Sequence, residues 1–537
     1  MSFSYANPYA TPRQPLFARN VVATSQPLAA QAGLRMLQQG GNAVDAAVAC
    51  AAAMTVVEPV SNGLGSDAFA MVWDGRELHG LNASGRAPGA WTPEYFARRH
   101  GVAERPPVRG WDAVTVPGAV AGWSALNKRF GRLPLSDVLA PAIELAERGY
   151  AVTPVVQGKW AVAADDAELT RQPGFAQAFL PHGRAPAVGE LFRFPAAAAG
   201  LRKIAVTRGV ALYGGEIAQA IEKFAAAHGG SIRASDFERY QPEWVTPLTR
   251  DYRGHTVHEL PPNGQGLVAL MALGILSQFD LRALGVDSLN AQHLQIEAIK
   301  LAFADVYRHV AEPGCMEVAP TELLDDDYLR RRARLIRMNR AQTFGPGSPA
   351  RGGTIYLAAT DERGMMVSLI QSNYMGFGSG CVEPSFGISL QNRGHAFTLQ
   401  PGPNQVAPGK RPFHTIIPGF LSREGQPLMA FGVMGANMQP QGHVQTLVRM
   451  LDFGQNPQAA CDAPRWRVAE GLDLNVEPAM PREVVEGLAA RGHRITDLAR
   501  GYQDFGAGQF IWRLGDPAVE GYVAASDPRR DGQAAGF

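Results

Sequence analysis

The patterning of the chain changes at about Gly352, and that change constrains the fold more than any other feature. Before it, apolar residues recur at helical spacing. Pro27 to Gln39 is Ala/Leu-rich and stops at Gly40-Gly41, glycines being frequent just past a helix end. Asn42 can then cap a second helix running towards Val57. Ala119 to Phe130, Ser136 to Arg148, Ile217 to His228 and Ala291 to Arg308 read as further helices. After the change, Thr354 to Ala359 and Met365 to Gln371 are strand-like runs around the turn Asp361-Glu-Arg-Gly364, a hairpin pattern. More strands are expected at Phe386 to Leu390, His414 to Phe420 and Leu428 to Phe431, then a helix between Gln441 and Asp452. A mainly helical N-terminal two-thirds flanking a multi-stranded sheet predicts an α/β sandwich of several layers.

Composition narrows the function classes. The 537 residues are 46% hydrophobic with a net charge of +1, which is globular and not disordered. Basic and acidic residues balance at 50 against 49, so there is no footprint for nucleic acid or an anionic membrane. The longest apolar stretch, Ala43 to Val57, carries Asp45 and is shorter than the roughly 20 residues of a membrane span. The four cysteines are dispersed and lack metal-ligand spacing, which fits a reducing compartment and implies no metal. Met1 to Arg19 has no apolar core of the secretory kind, so a cytoplasmic location is expected. Length would allow three or four domains at roughly 150 residues each. No linker-like segment divides the chain, and one large body is equally compatible.

No GxSxG elbow, HExxH pair or Walker A loop is present. Gly376-Phe-Gly-Ser-Gly380 lacks the spacing of a phosphate cradle and reads as a sharp loop needing positive φ. Arg351-Gly352-Gly353-Thr354 is more informative, because there a Pro/Gly-rich segment gives way to a strand. A threonine opening a strand after glycine meets the requirement for an N-terminal nucleophile. Its hydroxyl would attack the Gly353 carbonyl, and hydrolysis of the resulting ester would free an α-amino group. That amine, with an ordinary pKa of about 7.7–8.0, then serves as general base for the same hydroxyl. Taken alone, Gly-Gly-Thr is also an ordinary strand start.

Further motifs remove part of that ambiguity. Gly40-Gly-Asn-Ala-Val-Asp-Ala-Ala47, Val116-Pro-Gly118, Lys410-Arg-Pro412, Asp462-Ala-Pro-Arg465 and Ser526-Asp-Pro-Arg529 occur in an order that resembles the γ-glutamyltransferase (glutathione hydrolase) family. The spacing from Thr354 to Asp361 and the Phe377-Gly-Ser-Gly380 loop match as well. The resemblance implies a four-layer αββα sandwich of the N-terminal nucleophile hydrolase type. It implies a precursor cut between Gly353 and Thr354 into subunits 1–353 and 354–537 that stay associated without a covalent link. No cofactor is implied, and one assembly open to such a chain is a dimer of processed heterodimers.

By the same resemblance Thr354 matches the nucleophile and Ser372 a hydroxyl residue that orients it. Gly435 and Ala436 match the main-chain oxyanion hole. The substrate-recognition positions depart from the family. Its serine pair reads His414-Thr415, its asparagine reads Tyr374, its aspartate reads Ala396, and its arginine is displaced by two residues to Arg86. The Gly63-Leu-Gly-Ser-Asp67-Ala68 loop introduces Asp67, which is expected either to face the pocket as a replacement acid or to cap a helix. A short covering loop, Gln400 to Gly409, implies an open cleft. The implied activity is hydrolysis of γ-glutamyl or related acyl amides through a threonyl acyl-enzyme that water or an amine resolves. The alternatives are an acylase on glutaryl-, cephalosporin- or oxamate-type amides, and an unprocessed binding protein of the same fold. Ile355, standing where the family often has a second threonine, is the feature behind that last alternative.

Overall fold

A computed structural model describes residues 13–345, 353–498 and 504–537, with the side chains of 353–355 outside that description. The strands of its two large sheets are β1 (Leu16–Ala18), β2 (Val21–Thr24), β3 (Asp67–Trp73), β4 (Leu78–Ala83), β5 (Glu243–Val245), β6 (Leu248–Tyr252) and β7 (His255–Glu259). They continue with β8 (Gly353–Thr360), β9 (Met366–Tyr374), β10 (Gly419–Arg423), β11 (Gln426–Met434), β12 (Ala507–Arg513), β13 (Tyr522–Ser526) and β14 (Gln533–Gly536). The first sheet runs β14-β2-β8-β9-β3-β4-β5 and the second β1-β13-β12-β11-β10-β7-β6.

Side-chain alternation along single strands produces the layering. In β8, Leu357 and Ala359 enter one apolar core while Tyr356 and Ala358 enter another. In β3, Ala68, Ala70 and Val72 take the first side, and Phe69, Met71 and Trp73 the second. The facing strand β11 sends Ala430 and Met434 into that shared inter-sheet core, and Met429, Phe431 and Val433 away from it. The two sheets therefore pack face to face, and each needs helices on its outer face. The helices α1 (Pro27–Gln38), α2 (Ala43–Val57), α3 (Ala119–Phe130) and α4 (Leu135–Arg148) cover the first sheet. The second is covered by α5 (Gly266–Leu276), α6 (Leu289–His309) and α7 (Met438–Leu451). Among the described residues no helix is long and apolar enough to cross a membrane.

The glycine-rich motif near the N-terminus explains itself in this frame. Asn42 and Asp45 form a capping box at the start of α2, and every residue of that helix is buried. Its Ala43 N–H donates to Asp361 Oδ2 at 3.0 Å, so the turn closing the β8–β9 hairpin is fastened to the helix N-terminus. A Cβ at Gly33 would stand 2.8 Å from the Ala46 carbonyl, which is how α1 and α2 approach so closely.

The expected helices appear within a few residues of their sequence bounds, and the hairpin lies where the pattern put it. The N-terminal two-thirds is less helical than expected, because β1 to β7 all lie there. The run Phe386 to Leu390 shrinks to the two-residue strand Ile388–Ser389. The strand expected from His414 begins only at Gly419, since residues 414–417 bond to side chains and loops instead of a ladder partner: His414 N–H to the Asn263 carbonyl, and Ile417 N–H to Gln439 Oε1. The helix α7 starts at Met438, before the expected Gln441, and Pro440 sits in its first turn, where no N–H is required.

Candidate active site

The β8–β9 register builds one wall of the site. Gly353 pairs with Tyr374 and Ile355 with Gln371, with an irregularity between them, so the Thr354 backbone lies opposite Ser372 and Asn373. The Thr354 hydroxyl, the expected nucleophile, and Arg351-Gly352 before the expected scissile bond lie outside the described residues. Ser372 is fully buried, and its Oγ accepts from Tyr374 N–H at 2.7 Å. That bond helps to hold Tyr374 at φ 78°, a left-handed conformation that costs a non-glycine residue about 1–2 kcal/mol. Both neighbours reinforce it, since Asn373 N–H donates to the Ser61 carbonyl and Met375 N–H to Asn392 Oδ1. Strain held this firmly is typical of a functional site. The Gly376–Gly380 loop that follows is sharp as expected, with Phe377, Gly378 and Gly380 all at positive φ.

The opposite wall is the turn between β11 and α7. Gly435 and Ala436 have φ of 125° and 54°. Their carbonyls accept from Met438 and Gln439 N–H at the helix start, and Gln265 Nε2 adds a bond to the Ala436 carbonyl at 2.9 Å. A trans peptide points its N–H opposite to its C=O. The N–H groups of Ala436 and Asn437 are therefore turned away from the bonds that anchor the turn. Asn437, next in sequence, is buried, and its amide atoms have no hydrogen-bond partner among the described residues.

Between these walls lies a guanidinium that the sequence motifs did not single out. Arg393 is fully buried, stands 4.1 Å over the Tyr374 ring and donates from Nη1 to Thr415 Oγ1 at 2.9 Å. The Thr415 carbonyl shares Gln265 Nε2 with the Ala436 carbonyl, which ties Thr415 to the oxyanion-type turn. The residue sits in Leu390-Gln-Asn-Arg-Gly-His-Ala-Phe397, a run that drew attention only for Ala396. An arginine inside an otherwise apolar and amide-rich segment was the available signal.

Asp67 is a strand residue whose carboxylate reaches a helix start. It opens β3 opposite Ser372, and its carboxylate is fully engaged. Oδ1 accepts from Gly118 N–H at 3.2 Å, at the start of α3, while Oδ2 meets His414 Nε2 at 3.1 Å. Burial pushes its carboxyl up to about 7, against the pull of Arg393 and the N–H groups of Gly85 and Gly118. Burial, then Arg393 and Arg411, hold His414 well below the ordinary histidine range, so it is neutral. Ile416 N–H donates to His414 Nδ1, which leaves the ring proton on Nε2 to donate to Asp67.

Arg86 is also committed elsewhere. Its Nη1 reaches Glu312 at 2.6 Å and its Nη2 reaches Glu243 at 2.7 Å, with Glu243 shared with Arg411, so both of its terminal nitrogens have carboxylate partners. Ser372, Tyr374, Arg393, His414 and Thr415 are all at 0% exposure, so the expected open cleft is not seen among the described residues. Val406 of the covering loop packs with Phe397 onto Trp91 and Phe96, which pins that loop down.

The Gamma-glutamyltranspeptidase family model matches residues 29–537. The chain belongs to that family. It is 34% identical over 535 residues to the glutathione hydrolase-like YwrD proenzyme of Bacillus subtilis, with 97% of this chain and 98% of that protein covered. It is 36% identical over 523 residues to the oxamate amidohydrolase proenzyme of Klebsiella pneumoniae, covering 95% and 97%. Among solved structures, the cephalosporin acylase from Bacillus halodurans superposes with a TM-score of 0.94 at 49% identity, covering 100% and 99% of the two chains. The four layers are thus the αββα sandwich of N-terminal nucleophile hydrolases, and the protein is an enzyme of the threonine-nucleophile class.

This family member has two described clusters of metal-ligand type, both away from the site. His293, Glu297 and His493 converge in the second helical layer, but the Lys300 ammonium sits among them, 2.8 Å from Glu297. Asp74, Glu77 and His79 lie near the surface, where His79 bonds Asp74.

Proposed function

We propose that the protein is a self-processing acylase that cleaves amides through Thr354 and does not use ordinary γ-glutamyl recognition. The observation that carries the reading is the register that sets the Thr354 backbone opposite Ser372 at the head of the β8–β9 hairpin. In processing, the Thr354 hydroxyl adds to the Gly353 carbonyl, the peptide C–N bond breaks, and the acyl group moves to oxygen as an ester. Water hydrolyses that ester, leaving chains 1–353 and 354–537 and a free Thr354 amine.

In turnover the amine takes the hydroxyl proton as oxygen adds to the substrate carbonyl. Main-chain N–H groups of the Gly435-Ala436 turn stabilise the oxyanion, a contribution of about 2.7–4 kcal/mol per donor in comparable sites. The amine then passes its proton to the leaving nitrogen. Water, or an acceptor amine, resolves the ester by the same route.

Three features speak against a γ-glutamyl group. Ala396 offers no carboxylate for its ammonium, Asp67 is already bonded to His414 and main-chain N–H groups, and Arg86 is neutralised by Glu243 and Glu312. The printed names of the Klebsiella and Bacillus halodurans relatives, an oxamate amidohydrolase and a cephalosporin acylase, support acyl groups of another kind. The name of the Bacillus subtilis relative favours a glutathione hydrolase instead.

Denaturing electrophoresis tests the processing step. The 57.6 kDa chain is expected as two bands, the smaller beginning Thr-Ile-Tyr-Leu, and Thr354→Ala should abolish both cleavage and activity. A single full-length band after long incubation overturns the reading. A KM for γ-glutamyl-p-nitroanilide at the low end of the ordinary enzyme range, about 1 μM, would favour the glutathione hydrolase.

A further inference from the structure

We infer that Arg393 is a receptor for a carboxylate on the acyl group, so that the preferred substrate is the half-amide of a short dicarboxylic acid with no α-ammonium. This rests on the acylase reading above and adds the chemical class of the acyl group to it.

The bonding pattern of Arg393 is incomplete. The side chain is fully buried, yet only Nη1 has a partner, and Nε and Nη2 have none among the described residues. Those two nitrogens share one edge of the planar guanidinium, and that edge donates two parallel N–H bonds to a carboxylate. Among the described residues no carboxylate lies within ion-pair distance of it. A buried cation without an ion partner in contact is unfavourable by several kcal/mol, and the Tyr374 ring beneath it and the more distant Asp67 carboxyl return only part of that. Although burial lowers the Arg393 guanidinium to about 10, it remains a cation at neutral pH.

Position ties the vacant edge to the reaction. The ring under Arg393 belongs to Tyr374, whose backbone pairs with Gly353, immediately before Thr354. The hydroxyl on its other side belongs to Thr415, which shares Gln265 with Ala436 of the oxyanion-type turn. That edge is thus anchored to the two elements, the β8–β9 hairpin and the Gly435-Ala436 turn, between which the acyl group would lie.

The surroundings repel an ammonium. Asp67 has its oxygens bonded to Gly118 N–H and His414, Asn392 Oδ1 accepts from Met375 N–H, and position 396 is alanine. Arg105, half-buried and without a carboxylate partner among the described residues, adds a second positive charge that Tyr374 feels. The Tyr374 hydroxyl and Asn437 amide, without partners among the described residues, supply neutral hydrogen bonding.

The test compares three p-nitroanilides on the processed protein: glutaryl, pentanoyl, which lacks the carboxylate, and γ-glutamyl, which adds the ammonium. Glutaryl is expected to exceed both in kcat/KM by about 10- to 100-fold, the range for hydrogen bonds to a charged group. Arg393→Met should raise KM for the glutaryl amide by a similar factor, more than it raises KM for the pentanoyl amide. Arg393→Lys should fall between. If Arg393→Met does not fold, calorimetric titration of the wild type with glutarate, against pentanoate and glutamate, reads the same receptor without turnover. Equal kcat/KM for glutaryl and pentanoyl amides, or equal affinity for glutarate and pentanoate, overturns the inference. Failure to self-cleave or to turn over any amide overturns the acylase reading instead, and glutarate binding then still decides Arg393.

Discussion

His414 Nε2 lies 3.1 Å from Asp67 Oδ2, and both side chains are excluded from solvent. The pair bridges the two sheets, because Asp67 opens β3 in the first and His414 leads towards β10 of the second.

A pH dependence follows from this pair. The Asp67 carboxyl is raised by burial to about 7, whereas in the unfolded chain it titrates at about 3.9. Between those values the folded state holds a proton that the unfolded state has released, so stability falls as pH rises across that window. The neighbours of Asp67 do not mask it: Arg393 stays charged, and His414, Tyr213 and Tyr240 stay neutral. Asp67→Asn should be less stable than wild type at pH 4.5, because its amide would face the His414 proton. That deficit should shrink as pH rises through the window to about 7, read as the difference in Tm at fixed scan rate. A constant difference would mean that Asp67 is ionised throughout.

Arg86→Gln is expected to affect stability and not recognition. It removes contacts to Glu243 and Glu312 from a side chain that is 29% exposed, for a loss of about 1 kcal/mol after screening. Arg411 stays 2.8 Å from Glu243, so part of the network survives. KM for glutaryl and γ-glutamyl amides should stay within twofold. A tenfold rise in KM would return Arg86 to the substrate site.

Ala436 adopts φ 54°, where a Cβ is unfavourable by about 1–2 kcal/mol. Ala436→Gly keeps the main-chain donor and relieves that strain, so Tm should rise slightly and kcat should hold within a few-fold. Ala436→Val, with a branched Cβ, should lower both. Loss of activity in the glycine variant would show that the methyl group shapes the acyl site.

The local elements were legible because their signals are local. The Asn42 cap, the Gly40-Gly41 stop and the Asp361–Gly364 turn each act within a few residues. The strand β3 was not legible. Asp67-Ala-Phe-Ala-Met-Val-Trp73 is apolar on both faces, because helices cover one side and the second sheet the other, and so no alternation marks it. The same burial explains why Asp67, which looks like a loop acid in the sequence, is a strand residue sealed from solvent.

The sequence by itself determined the helices, the hairpin that Thr354 opens, and the family motifs that order the chain. Tertiary structure decided which charges are available. Asp67 and His414 are 347 positions apart, and Arg86 meets Glu312 across 226. No local pattern encodes such pairings, because they depend on two sheets packing face to face. That packing neutralises Arg86, engages Asp67, and leaves two nitrogens of Arg393 buried without partners among the described residues.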